Sequence, residues 1–196
     1  MSSSENWPLP VKEKNFDNAS KVVKGLYDIE RTGWVKRGVE NPETVGDHID
    51  ALISLGEEIA DKIPELDKNK FLRMLQIHDW PEHIVGDIVT ATVGVEKRKE
   101  AEDDKIKKEL VAMKNICADL GEEGEEILAL WLEYEEGKTL EANIAKQLDK
   151  LQAVLKSQEY EQNGKGTVVA KEFFDYAKNK ITHPVLVEIL EKIDKK

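Results

Sequence analysis

Phe16, Ala19, Val22, Val23, Leu26 and Ile29 recur at three- and four-residue intervals and end near Gly33. That spacing lines one face of a helix. The next stretch, R-T-G-W-V-K-R-G-V-E-N-P-E-T-V from Arg31 to Val45, is rich in turn formers, with Pro42 placed to open a second helix over Glu43–Lys62. Asp67 is a good cap for a helix from Lys68 to about Trp80, and Pro81, having no amide hydrogen, ends or bends it. The same periodicity predicts helices at about Glu96–Leu120, Glu122–Glu135, Thr139–Glu159, Thr167–Lys180 and His183–Ile193. No strand-like alternation and no internal repeat stands out. The pattern predicts a compact all-α, single-domain bundle of about seven or eight helices.

Composition narrows the class. The chain has 196 residues, 40% hydrophobic and 35% charged, with few glycines and prolines, as expected of a helical protein with a real core. No apolar run nears the roughly 20 residues a bilayer requires, and the N-terminus has no signal-peptide core, so no membrane association is expected. A net charge of −11 argues against a general grip on nucleic acid, while leaving a small phosphorylated ligand open. One cysteine, Cys117, forms no internal disulfide and suits the cytoplasm; beside Met113 and Ile116 it reads as buried filler. The run E-K-R-K-E-A-E-D-D-K-I-K-K-E, residues 96–109, mixes both signs at helical spacing and reads as a solvated helix face.

Against that background, L-Q-I-H-D-W-P-E-H-I-V-G-D places ionisable groups where a helix heads into the core. His48 shares a face with Ala51, Leu52, Leu55 and Ile59; His78 follows Met74 and Leu75 by one turn; Asp149 lies between Ala145 and Ala153. Three helices thus turn His or Asp inward, and unpaired they would cost several kcal/mol. With Asp79 they make a two-histidine, two-carboxylate set that a divalent cation stabilises. Mixed nitrogen and oxygen donors without thiolate suit manganese, cobalt, iron, nickel or zinc, and magnesium less well. Coordination positions left open would activate water and polarise a substrate oxygen. Glu82, four residues beyond His78, is placed to manage a proton if the helix survives Pro81. Asp87, after Gly86, has three readings: holding a sugar hydroxyl, protonating a leaving oxygen, or capping the next turn.

The order H…HD…D, as His48, His78-Asp79 and Asp149, resembles the HD-domain metal-dependent phosphohydrolases. R-T-G-W (Arg31–Trp34), P-E-T-V-G-D-H (Pro42–His48), H-D-W-P-E-H-I-V-G-D-I (His78–Ile88) and K-Q-L-D-K-L-Q-A-V-L (Lys146–Leu155) are similar, more narrowly, to the HD-domain 5′-deoxynucleotidases. The likeness runs from about Phe16 to the C-terminus, which divides the chain into an N-terminal extension, 1–14, and an HD domain, 15–196. It implies a homodimer that hydrolyses 2′-deoxyribonucleoside 5′-monophosphates, with the metal on His48, His78, Asp79 and Asp149. It also implies Glu82 as the reacting carboxylate, Arg31 on the phosphate and Asp87 near the sugar. A second cation on Glu82, Asp87 and the carbonyl of Ile88 occurs in some members. Some members set a tryptophan directly after the arginine, against the sugar; here Thr32 and Gly33 intervene. Trp34 therefore reads either as a substrate-facing or as a core side chain. No serine, cysteine or aspartate stands in a nucleophile motif, so water is the expected attacking group. Hydrolysis of another phosphate ester, a nucleotide-sensing dimer without catalysis, and a structural metal protein are the alternatives.

Overall fold

The computed structural model describes residues 15–90 and 95–194; the N-terminal extension expected over 1–14 lies outside them. Among the described residues there are eight longer helices and two of a single turn. In chain order they are α1 (Phe16–Leu26), α2 (Thr32–Val35), α3 (Val45–Ala60), α4 (Lys68–Ile77), α5 (Glu82–Val85), α6 (Val95–Ala118), α7 (Glu122–Glu136), α8 (Leu140–Gln162), α9 (Ala170–Ala177) and α10 (Pro184–Asp194). The short α2 and α5 interrupt stretches that carry too few apolar positions to show a helical period. Extended pairing is confined, among the described residues, to one antiparallel bridge between Glu30 and Thr44.

Helix α3 begins at Val45, two residues later than the sequence suggests. Thr44 accepts a hydrogen bond from the Asp47 amide (3.1 Å), and Asp47 accepts one from the Thr44 amide (2.9 Å). This reciprocal capping box satisfies donors that a helix start leaves orphaned. Asp67 caps α4 as expected, accepting from the Lys70 amide. Helix α4 stops at Ile77 rather than Trp80, with His78 as its C-terminal cap. After one turn, Pro81 opens α5, where a missing amide hydrogen costs nothing.

Helices α3, α4 and α8 pack on one another, α7 closes on α8 and on α4, and α1 lies against α3 and α5. The apolar stripes of these helices meet in one large cluster that includes Leu26, Leu52, Phe71, Met74, Trp80, Met113, Trp131, Leu148 and Leu151. Cys117 is buried in that cluster. Tyr160, Trp34, Val39 and Val168 form a second, smaller cluster with Phe173 packed on it. No helix among the described residues is long and apolar enough to cross a membrane.

Candidate metal centre

His48 sits one turn into α3 with no exposed surface, and His78 caps α4 at 6% exposure. The two imidazoles lie edge to face, 5.6 Å between centroids. His78 Nδ1 lies 2.8 Å from the Leu75 carbonyl, which can only accept, so Nδ1 carries the hydrogen. Its Nε2 is left facing inward. That atom and Nε2 of His48 are both buried without a hydrogen-bond partner.

Carboxylates stand in front of both. Asp149 Oδ1 is 3.2 Å from His48 Nε2, and Asp79 Oδ2 is 3.1 Å from His78 Nε2 and 3.8 Å from His48 Nε2. Donor atoms of His48, His78 and Asp149 all fall within 4.8 Å of one another. Neighbouring ligands around a cation bound at about 2.1 Å are spaced by roughly 3 Å. Two orphaned imidazole nitrogens meeting Asp149 fit a divalent cation, and Asp79, the fourth expected ligand, lies against both imidazoles.

Burial by itself opposes ionisation of Asp79, yet His78, His48 and Arg31 together hold it well below the usual carboxylate range. Asp149 is likewise held low, its burial outweighed by His48 first and then by Lys150 and Arg31. Burial would also lower His78, but Asp79, Asp149 and the Leu75 carbonyl raise it above an ordinary histidine. The carboxylates of Asp79 and Asp149 therefore face the gap as ligand-ready anions.

Arg31, at the N-terminal edge of α2, comes within 3.7 Å of Asp79 Oδ2 and remains partly exposed. Burial disfavours its charge, but Asp149, Asp79, Asp87 and Glu43 more than restore it. Glu82, in α5, is 3% exposed despite the break at Pro81. Its Oε1 lies 3.7 Å from Lys105 Nζ, and its Oε2 is buried with no partner. Desolvation, then the Asp79 and Asp87 carboxylates, push Glu82 well above the usual carboxylate range against the pull of Lys105 and Arg31. Asp87 is tied to Thr32: its Oδ2 accepts from the Thr32 amide (2.7 Å) and its carbonyl from the Thr32 hydroxyl (2.9 Å). It thereby ties the segment after α5 to the residue following Arg31. Ile88 follows in that segment, partly exposed.

Trp34 is corrected. Its ring is 3% exposed, stacked 4.8 Å from Phe173 and edge-on to Tyr160, and its indole donates to Glu43 Oε1 at 2.9 Å. No face of it is free for a sugar. His83 is exposed and takes no part in the cluster, as expected.

Two groups of residues escaped the sequence reading. Most of the 96–109 run is exposed, but Lys105 and Glu109 turn inward, 3.3 Å apart, with Glu109 only 7% exposed. They share a face with Ala112, Met113 and Ile116 at intervals of four, seven, eight and eleven residues from Lys105, a signal that the density of charge obscured. The other group is Gln152 and Glu43, both buried behind His48. Gln152 lies one turn beyond Asp149 on α8, the interval that brings two side chains to one neighbour.

A family model described as HD domain matches residues 23–189. A protein of Dictyostelium discoideum named 5′-deoxynucleotidase HDDC2 is 33% identical, over 92% of this chain and 97% of its own length. Its human namesake is 33% identical over 89% of this chain and 82% of its own. A conserved hypothetical protein from Pyrococcus furiosus superposes with a TM-score of 0.75 at 26% identity, covering 92% of this chain and 99% of that one.

Proposed function

The chain belongs to the HD-domain family, and from that premise we propose that it is a metal-dependent phosphohydrolase that removes phosphate from 2′-deoxyribonucleoside 5′-monophosphates. The observation that carries the reading is the convergence of two buried, unpartnered imidazole nitrogens on Asp149 and Asp79, with Arg31 and Glu82 beside them. The relatives' names supply the substrate class. The HD domain is taken as 15–196, acting as a cytoplasmic homodimer; the solitary cysteine suits that compartment. Manganese, cobalt, zinc and magnesium are the candidate ions.

His48, His78, Asp79 and Asp149 would hold a divalent cation, which would supply Lewis acidity for the phosphate and lower the cost of deprotonating water. The protein's own groups do the rest. Arg31 presents a permanently charged fork to the phosphate dianion, matching its oxygens. Glu82 Oε2, buried and without a partner, receives the proton of the attacking water. As the bond between phosphorus and the 5′-oxygen breaks, the same carboxyl returns that proton to the departing alkoxide. Desolvation raises the affinity of Glu82 for protons, which favours the acid half of the transfer; the charge of a bound cation would return it toward the carboxylate that the base half needs. Asp87, held by Thr32, keeps the segment after α5 in register with Arg31.

Phosphate release from deoxynucleoside and ribonucleoside mono-, di- and triphosphates, with each metal restored after chelation, tests this. Deoxynucleoside monophosphates are expected to turn over, with His78→Ala losing metal and activity together. Glu82→Gln is expected to keep its metal while kcat falls about 100-fold or more. Silence across the panel from a folded, metal-loaded protein would sink the nucleotidase reading. Equal turnover of ribonucleotides would keep the chemistry and enlarge the substrate class.

A further inference from the structure

Behind His48 runs a chain of buried hydrogen bonds that leads away from the candidate metal centre into the second core. Trp34 Nε1 donates to Glu43 Oε1 (2.9 Å), Gln152 Nε2 donates to Glu43 Oε2 (3.0 Å), and Gln152 Oε1 lies 2.9 Å from His48 Nδ1. All four residues are at most 7% exposed: Trp34 3%, Glu43 7%, Gln152 3% and His48 0%. The Glu43 backbone is fixed as well, its amide donating to the Tyr160 hydroxyl (2.7 Å) and its carbonyl accepting from the Arg31 amide (3.1 Å).

The direction of this chain follows from what each group can do. An indole N–H only donates, and a carboxylate only accepts. Glu43 therefore compels Gln152 to present its NH2 group to it and its carbonyl to His48. A carbonyl only accepts, so His48 must hold its hydrogen on Nδ1 and keep a lone pair on Nε2. That is the atom 3.2 Å from Asp149. His78 reaches the same tautomer through a backbone carbonyl, whereas His48 depends on two side chains.

We infer that Glu43 and Gln152 are positioning residues that set the tautomer of His48, and through it the metal affinity of the site. The inference rests on His48 being a ligand, as in the reading above. Replacing the carboxylate by an amide removes the constraint: Gln152 can then turn its NH2 toward His48 and stabilise the tautomer with hydrogen on Nε2, which cannot bind a cation. Reversing both members restores the direction, because an amide at position 43 still accepts from Trp34 and donates onward, while a carboxylate at 152 accepts from Nδ1.

The test reads tautomer and metal rather than turnover. Nitrogen-15 spectra of the chelated wild type should show His48 as the Nδ1–H form. Glu43→Gln should lower zinc affinity, measured by chelator competition, ten- to a hundredfold and admit the Nε2–H form. The double variant Glu43→Gln with Gln152→Glu should recover both. Packing alone would not distinguish these variants, since Glu and Gln have nearly the same volume. A wild type with His48 in the Nε2–H form would overturn the inference, even if Glu43→Gln failed to fold. Wild-type zinc affinity in Glu43→Gln, or a double variant no tighter than the single, would do the same. A wild type that binds no zinc at all would instead strike the metal reading, while its tautomer still decides the role of Glu43.

Discussion

Glu109 shows what a single buried carboxyl contributes. Desolvation pushes it up to about 7, with Asp79 and Glu135 adding to the effect and Lys105 opposing it. Between the ordinary value near 4.5 and about 7, the folded chain holds a proton that the unfolded chain has released. Stability therefore falls as pH rises through that window and the full cost is present above it. A shift of this size, which already includes the opposing Lys105 contact, corresponds to roughly 3 kcal/mol at most. Glu109→Gln in metal-stripped protein is expected to gain on wild type progressively from pH 5 to pH 8, read from urea midpoints. A gap that stays constant or narrows over that range would show that the Lys105 ion pair outweighs desolvation. Glu82 and Glu109 flank the same lysine, so the exchange should also leave Lys105 closer to Glu82 alone.

At the scale of elements, the start of α3 decides where two residues of the site can go. With Thr44 as the cap, Glu43 lies outside the helix, free to reach Trp34 and Gln152. Thr44→Ala should cost about 1 kcal/mol of stability, seen as a lower denaturation midpoint with metal affinity reduced only modestly, because His48 lies beyond the capped turn. A loss of several kcal/mol would mean that the cap also holds the Glu30–Thr44 bridge. The sequence contained this start: T-x-x-D is a capping box, but reading Pro42 as the opening residue made Glu43 an ordinary first-turn acid. The long helices and the inward faces of His48, His78 and Asp149 were legible because apolar neighbours at regular spacing surround them. Helices α2 and α5 were not, being too short for a period. Lys105, Glu109 and Gln152 were hidden for another reason: polar side chains on a polar background become informative only when tertiary packing shows which of them are covered.

For the molecule as a whole, the metal centre joins parts of the chain that are far apart in sequence: α3, the end of α4, and α8. Unfolded, these ligands are dispersed, so a cation that binds the folded chain also stabilises it. A net charge of −11 would add to the effect, because a cation held between Asp79 and Asp149 would relieve repulsion among acidic groups. At a free metal concentration 1,000 times the dissociation constant, linkage gives about 4 kcal/mol. For a chain of this length that raises the thermal midpoint by roughly 8–16 °C. Calorimetry of protein stripped by chelator, then reloaded with manganese or zinc, should show this rise, and His78→Ala should abolish it while still unfolding cooperatively. Equal midpoints with and without metal, in protein shown by direct assay to bind it, would mean that the unfolded chain holds the ion as tightly as the folded one. Gathering His48, His78 and Asp149 from three helices would then add nothing to metal affinity, and the reading of a site made by the fold would fail.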